Sequence, residues 1–148
     1  MDTYDLSVAF YNKLIALTYS GMKTILPDEI FDPTEGVSAT TVRRGVVLPM
    51  EPAFAGFGNG RMVRLEGVYQ IDLWVPRKTT SAIKTLKQMA DAHVNHFYPV
   101  NARGDSLTEN STTADILERP LQRPMGRDGA YLREIVEVTF SVDVFASA

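Results

Sequence analysis

Polar and apolar residues alternate from Met62 to Pro76, and this alternation predicts a long β-strand with one buried face. The segment from Leu132 to Phe145 has the same pattern. In the first strand the apolar phase contains Val63, Leu65, Tyr69, Ile71, Leu73 and Val75, and the polar phase contains Arg64, Glu66, Gln70 and Asp72. We therefore expect each strand to pack one face against a core and to leave the other face in water.

Two further segments have the three- and four-residue spacing of amphipathic helices. The first runs from Leu6 to Tyr19 and is apolar around much of its circumference, so it is either sandwiched inside the domain or in contact with another chain. The second follows Pro76 and ends at Pro99. Its predicted cap is Thr79, Thr80 or Ser81, and its apolar stripe is Ile83, Leu86, Ala90, Val94 and Phe97.

The remaining sequence predicts shorter strands separated by turns and loops. Residues Val37–Leu48 are rich in β-branched side chains and favour a strand, in which Arg43-Arg44-Gly45 is a candidate bulge or bend. The predicted connections are Leu26–Pro33, Pro49–Gly60, Asn101–Thr113 and the turn Met125–Gly129, and Ala114–Arg123 is a predicted edge strand that Pro120 interrupts. These elements predict the α+β class, with two main helices packed on a mostly antiparallel or mixed β-sheet in a single domain over residues 1–148.

Composition narrows the functional classes. The chain has 148 residues, no cysteine and a formal net charge of −3. Without cysteine there is no disulfide or thiolate chemistry, and the acidic balance disfavours bulk binding to a phosphate backbone. The N-terminus lacks the pattern of a secretory signal, and no run of about 18 apolar residues predicts a membrane span. We expect a protein that is made and used in solution.

Side chains that could carry catalytic chemistry are few. His93 and His96 lie three residues apart beside Asp91, but structural zinc needs four ligands and the chain has no other histidine. The segment Gly56–Gly60 lacks the lysine and the following helix of a phosphate-binding loop. The acidic cluster Asp28, Glu29, Asp32 and Glu35 is expected to be solvated rather than catalytic. We predict no enzymatic activity, no metal and no cofactor.

Apolar side chains interrupt the polar phases of the two long strands at Val68, Trp74, Ile135 and Phe145. A sheet face in water does not need this much apolar surface. Either the chain's own helices or loops cover it, or a neighbouring subunit does so, with Trp74 as an anchor.

The strand "GVYQIDLWVP" and the helix "AIKTLKQMADAHVNHFYP" form the most distinctive part of the chain, Gly67–Pro99. In it a Y-x-I/V-x-L/V-x-x-P strand leads into an A-D-x-x-x-x-x-F helix, represented by Ala90, Asp91 and Phe97. With the order of the other elements, this pattern resembles the tail terminator and tail completion proteins of long-tailed bacteriophages.

The resemblance implies a structural virion protein of the tail or neck, assembled in the host cytoplasm. It implies a hexameric ring that caps the tail tube, terminates tube polymerisation and offers an attachment surface to the head connector or stopper protein. DNA would pass through the lumen without specific binding, and an acidic lumen would let it slide. The candidate contacts between subunits or with partners are Phe54, Phe57, Arg61, Arg64, Glu66, Gln70, Asp72 and Trp74, with Arg103 and Asp105 for axial contacts.

Two alternatives stay open. A head–tail connector or stopper subunit of the same neck region would share the size, the acidity and the lack of catalytic motifs. A small enzyme or ligand-binding domain would instead need a deep pocket on which Asp28, Asp32 or His93 converge.

Overall fold

The computed structural model describes residues 3–19, 21–33, 40–55, 62–99, 106–110 and 112–145. Its helices are α1 (Thr3–Ala16) and α2 (Ala82–Phe97). Its strands are β1 (Met22–Ile25), β2 (Thr41–Val47), β3 (Glu51–Ala55), β4 (Met62–Pro76), β5 (Ser106–Glu109), β6 (Thr112–Ile116), β7 (Leu121–Asp128) and β8 (Tyr131–Phe145). The strands form one mixed sheet, and the helices pack on it. The predicted α+β class is confirmed.

The sheet is built around β4 and β8, which pair antiparallel along their whole length, from Met62 opposite Phe145 to Pro76 opposite Tyr131. Strands β2 and β3 follow one another along the outer side of β4, and β6 and β7 do the same along β8. The short strand β1 pairs in parallel with β2, and β5 pairs antiparallel with β6. The sheet therefore has two ends, which we call the Met62 end and the Pro76 end.

From Tyr69 to Val75 in β4 and from Val136 to Val142 in β8, the predicted apolar phases are buried against the helices. The core residues of β4 are Tyr69, Ile71, Leu73 and Val75, and those of β8 are Val136, Val138, Phe140 and Val142. Helix α1 contributes Phe10, whose ring stacks on Tyr69 with the centroids 4.6 Å apart. Helix α2 contributes Phe97, whose centroid lies 6.4 Å from that of Phe10. Because each large apolar side chain stabilises the fold by about 1.5–3 kcal/mol when fully buried, this helical face holds the main core.

The two helices lie close to the predicted segments. Helix α1 begins and ends three residues earlier than predicted, and it packs one side into the core while Tyr4 is 71% exposed. In α2 the predicted stripe is buried except at Ile83, which is 68% exposed, so that assignment was wrong. Ser81 is the N-cap residue, although its side chain makes no capping hydrogen bond. Neither described helix is long and apolar enough to cross a membrane.

Several predicted loops contain strands. Strand β3 lies within Pro49–Gly60, strand β5 and the start of β6 lie within Asn101–Thr113, and β7 extends into Met125–Gly129. These loop predictions were wrong because pairing with a neighbouring strand outweighs the local preference of so short a segment. The segment Arg43-Arg44-Gly45 follows an unbroken register with β4, and the recorded register shifts fall instead in β3 and β7.

Candidate functional site

The face of the sheet opposite the helices carries the polar phase of β4, and at the Pro76 end the chain itself covers this face. The covering segment, residues 26–33, places the Phe31 ring 4.7 Å from the Trp74 ring and 5.1 Å from the Tyr131 ring. The Trp74 indole Nε1 donates a hydrogen bond of 2.9 Å to Asp128 Oδ2. Trp74 is only 4% exposed, so the chain's own residues account for its burial.

Next to Trp74, a carboxylate is buried among guanidinium groups. Asp72 is fully buried, and its Oδ1 accepts a 3.0 Å hydrogen bond from Nε of Arg133. Its Oδ2 lies 3.7 Å from Nη2 of Arg44 and 3.3 Å from Nε2 of Gln70. The prediction that Asp72 lies in water was therefore wrong. Two opposite charges offset the cost of burying its carboxylate, which gives the residue a role in holding the sheet face together.

Toward the Met62 end the same face is open to solvent. Arg64 and Asp143 face each other across β4 and β8 and form a two-pronged ion pair, with Nε–Oδ1 at 2.8 Å and Nη2–Oδ2 at 3.2 Å. The hydrogen bond from Arg64 lowers the pKa of Asp143, and the same bond raises the pKa of Arg64. Both side chains are more than a third exposed, so the pair orients charges at the surface rather than supplying stability.

Carboxylates dominate this end of the sheet. The charges of Asp115 on β6 and Glu66 on β4 also act on Arg64. Among the described strands, Arg64 is the only cationic residue at this end. We call Glu66, Asp115 and Asp143, with Arg64 among them, the acidic end.

On the helical face, a buried basic cluster lies under α2. Arg43 is 3% exposed and donates from Nε to Thr24 Oγ1 at 2.7 Å and from Nη1 to His93 Nε2 at 3.0 Å. Because arginine can only donate, His93 must accept at Nε2 and donate from Nδ1 to the Met89 carbonyl, 2.7 Å away. Burial, reinforced by Arg43, lowers the pKa of His93 to about 4. The hydroxyl of Tyr69 is buried without a described partner, and burial raises its pKa.

The sequence interpretation had treated His93 and His96 as exposed or helix-packing rings, and it had not linked His93 to Arg43. The one available signal was an arginine within a run of β-branched residues in β2. His96 contacts the Lys13 carbonyl of α1, so both rings pack between elements. Within the described ranges, no group of three histidine or acidic side chains is placed to hold a metal ion.

The predicted contact residues differ in burial, and half of them have no described side chain. Arg64 and Glu66 are exposed, Gln70 is half-buried, and Asp72 and Trp74 are buried. Phe54 belongs to β3, whose backbone alone is described, and Phe57, Arg61, Arg103 and Asp105 lie outside the described residues. The structure does not bring Asp28, Asp32 and His93 together, because His93 is enclosed on the helical face while the covering segment lies on the opposite face.

Comparison with known proteins defines the fold. No family model matches this chain, and no curated protein matches it. Seventeen chains of solved structures match, and one of them has a TM-score of 0.67 at 18% identity, with 99% of each chain covered. The name of that protein states no activity, ligand or partner. At this identity the likeness shows that the two chains share an α+β fold from end to end, and nothing more.

Proposed function

We propose that this protein is a structural component of a bacteriophage tail. Its subunits assemble into a hexameric ring that caps the tail tube, ends tube polymerisation and offers an attachment surface to the head connector. The resemblance of Gly67–Pro99 to tail terminator proteins gives the class, and the acidic end is the observation that carries the proposal.

The acidic end has the properties of a contact surface. Arg64, Glu66 and Asp143 stand on β4 and β8, which pair over fifteen positions and therefore form a rigid support. The Arg64–Asp143 pair is already oriented in the single chain, so a partner that binds there has less side-chain freedom to remove. Complementary charge selects partners and speeds their encounter, while an acidic surface repels a phosphate backbone and does not retain DNA.

The division of the polar face also assigns roles to the predicted contact residues. Arg64 and Glu66 are exposed and are proposed to contact other copies or the tail proteins. Asp72 and Trp74 are enclosed by the chain itself, and they support the surface from behind.

The test has two parts. The mass of the purified protein, measured by sedimentation or native mass spectrometry, should be six times that of the chain. Added to polymerising tail-tube protein, it should shorten the tubes and appear as a ring at one tube end in electron micrographs. Unchanged tube lengths together with a monomeric mass would refute the proposal. Binding to portal or adaptor protein but not to tube would favour the connector or stopper instead.

A further inference from the structure

The cluster under α2 contains a buried positive charge that no described carboxylate balances. Arg43 is 3% exposed, and burial lowers the pKa of its guanidinium. The ionisable groups that act on this pKa in the opposite direction are the phenols of Tyr69 and Tyr11. Burial raises the pKa of Tyr69, so its phenol is neutral and supplies no counter-charge. A buried charge is costly unless it is paired, so the balance of charge at Arg43 needs an explanation.

Hydrogen-bond donors in this cluster also exceed the described acceptors. A guanidinium carries N–H groups on Nε, Nη1 and Nη2. The described contacts of Arg43 use Nε, which donates to Thr24, and Nη1, which donates to His93. The hydroxyl of Tyr69 is buried and has no partner among the described residues. Buried donors in native proteins are nearly always satisfied by protein, by water or by an ion, so a further acceptor is expected here.

The backbone of β2 brings the two groups to the same place. Gly45 follows Arg43 by two positions, so both residues lie on the helical face of the strand. A Cβ on Gly45 would lie 1.9 Å from the Tyr69 hydroxyl, so this hydroxyl lies directly over Gly45. Same-face neighbours on a strand are about 7 Å apart, a distance that one small acceptor can bridge together with the arginine side chain. Tyr11 of α1 acts on both Arg43 and Tyr69, so the first helix borders the same space.

We propose that Arg43 and the Tyr69 hydroxyl bind a small monovalent anion, for which chloride is the probe. The anion accepts hydrogen bonds from Nη2 of Arg43 and from the phenol, and its charge balances the guanidinium. A monovalent ion fits because His93, which accepts from Arg43, is neutral at pH 7 and leaves a single positive charge to offset. A small ion fits because the Tyr69 hydroxyl already fills the space above Gly45.

The position of the site in the sheet allows an ion to reach it. Strand β2 is covered on its outer side by β1, a strand of four residues that has no further neighbour among the described strands. Short edge elements open locally at much lower cost than the whole sheet. The bound ion links β2 to β4, while Arg43 itself links β2 to β1 and α2. This inference concerns the single chain and does not depend on the proposed ring.

Chloride should therefore stabilise the fold at constant ionic strength. Urea unfolding is measured in mixtures of sodium chloride and sodium gluconate of one total concentration, because gluconate is too large for the site. Above the Kd, each tenfold rise in chloride should lower the unfolding equilibrium constant by about tenfold. Tyr69→Phe removes one hydrogen bond to the ion and should raise the Kd by about tenfold or more.

Two arginine variants separate this site from general salt effects. Arg43→Met should abolish the chloride dependence, whereas the control Arg127→Met removes an exposed arginine and should keep it. If Arg43→Met does not fold, the comparison of the wild type with Tyr69→Phe decides alone. An equal chloride dependence in these two proteins, or none in the wild type, would overturn the proposal.

Two further measurements locate the ion. Crystals grown in bromide should show an anomalous peak within hydrogen-bond distance of Nη2 of Arg43 and the Tyr69 hydroxyl. A water molecule at that position, without anomalous signal, would mean that the donors are satisfied by water and that the proposal is wrong. A bound anion would also offset the repulsion between Arg43 and a protonated His93, so nuclear magnetic resonance should find that this ring titrates at a higher pH in chloride than in gluconate. The same titration in both salts would count against the anion.

Discussion

Lowering the pH from 7 to 5 should destabilise the fold through His93. This ring is fully buried under α2, and its Nε2 atom accepts a hydrogen bond from Arg43. Protonation would add a hydrogen to Nε2, so that this N–H would point at the Arg43 N–H. It would also place two positively charged groups 3.0 Å apart. The other neighbours that act on the ring are the Met89 carbonyl, His96 and the ring of Tyr19. None of them carries a negative charge that could offset the repulsion.

The size of the effect follows from the two pKa values of His93. The pKa of His93 is about 6.5 in the unfolded chain, and it is lowered to about 4 in the folded protein. Above pH 6.5 both states hold a neutral ring, so the histidine does not affect the free energy of unfolding. As the pH falls from 6.5 towards 4, His93 binds a proton in the unfolded chain but not in the folded protein. The free energy of unfolding therefore decreases. The loss is about 2 kcal/mol at pH 5 and about 3 kcal/mol below pH 4, compared with a total of about 5–15 kcal/mol for a small domain.

Urea unfolding, followed by circular dichroism between pH 7.5 and 4.5, measures this loss. The comparison is between the wild type and His93→Gln, whose amide can still accept from Arg43 and has no proton to gain. The two proteins have every other titratable residue in common, so the difference between the two profiles isolates His93. His96→Gln is the matched control, because it removes the chain's other histidine.

The reasoning is refuted if the wild type and His93→Gln lose stability in parallel between pH 6.5 and 5. It is refuted equally if nuclear magnetic resonance finds that the His93 ring titrates near pH 6.5 in the folded protein. If the stability profile of His96→Gln departs from that of the wild type, the pH dependence comes at least in part from His96, which contradicts the assignment to His93.

Three further predictions concern the sheet. Trp74→Ala should cost about 3–5 kcal/mol in the free energy of unfolding, and intact stability with lost assembly would instead make Trp74 an interface anchor. Gly45→Ala should cost about 1–3 kcal/mol because its Cβ would lie 1.9 Å from the Tyr69 hydroxyl and 2.4 Å from the ring carbon Cζ, and adding Tyr69→Phe should recover only part of that loss. Asp72→Ala should lower the free energy of unfolding by about 3–5 kcal/mol in the same urea assay, because it leaves the partly buried Arg133 without its carboxylate partner. A loss below about 1 kcal/mol would contradict this prediction.

The alternation along β4 was sufficient to predict the helical face of the sheet. Side chains on a strand point to opposite faces in turn, so the run from Tyr69 to Val75 fixes which residues share the core. The same alternation does not state what covers the other face. Trp74 is enclosed by Phe31, more than forty positions away, and Asp72 by Arg133, about sixty positions away. Contacts so distant in the sequence leave no local signal.

The short strands were missed for a related reason. Strand β3 contains Pro52, and the region around β5 is rich in small polar residues, so locally both resemble loops. Each becomes a strand because a long neighbour, β4 or the β6–β8 pair, is already in place to receive its hydrogen bonds. The buried Arg43–His93 contact could not be predicted from the sequence either, since it depends on how α2 packs across β2.

The two ends of the polar face of β4 and β8 differ in what surrounds their side chains. At the Pro76 end, Trp74 and Asp72 are held by the covering segment and by Arg133, so this end stabilises the single chain. At the Met62 end, Arg64 and its carboxylates remain in water, so this end is available to a second molecule. Substitutions at the first end should therefore lower stability before assembly, and charge reversals at the second should lower assembly without lowering stability. A variant that reversed this order would show that the two ends are not independent.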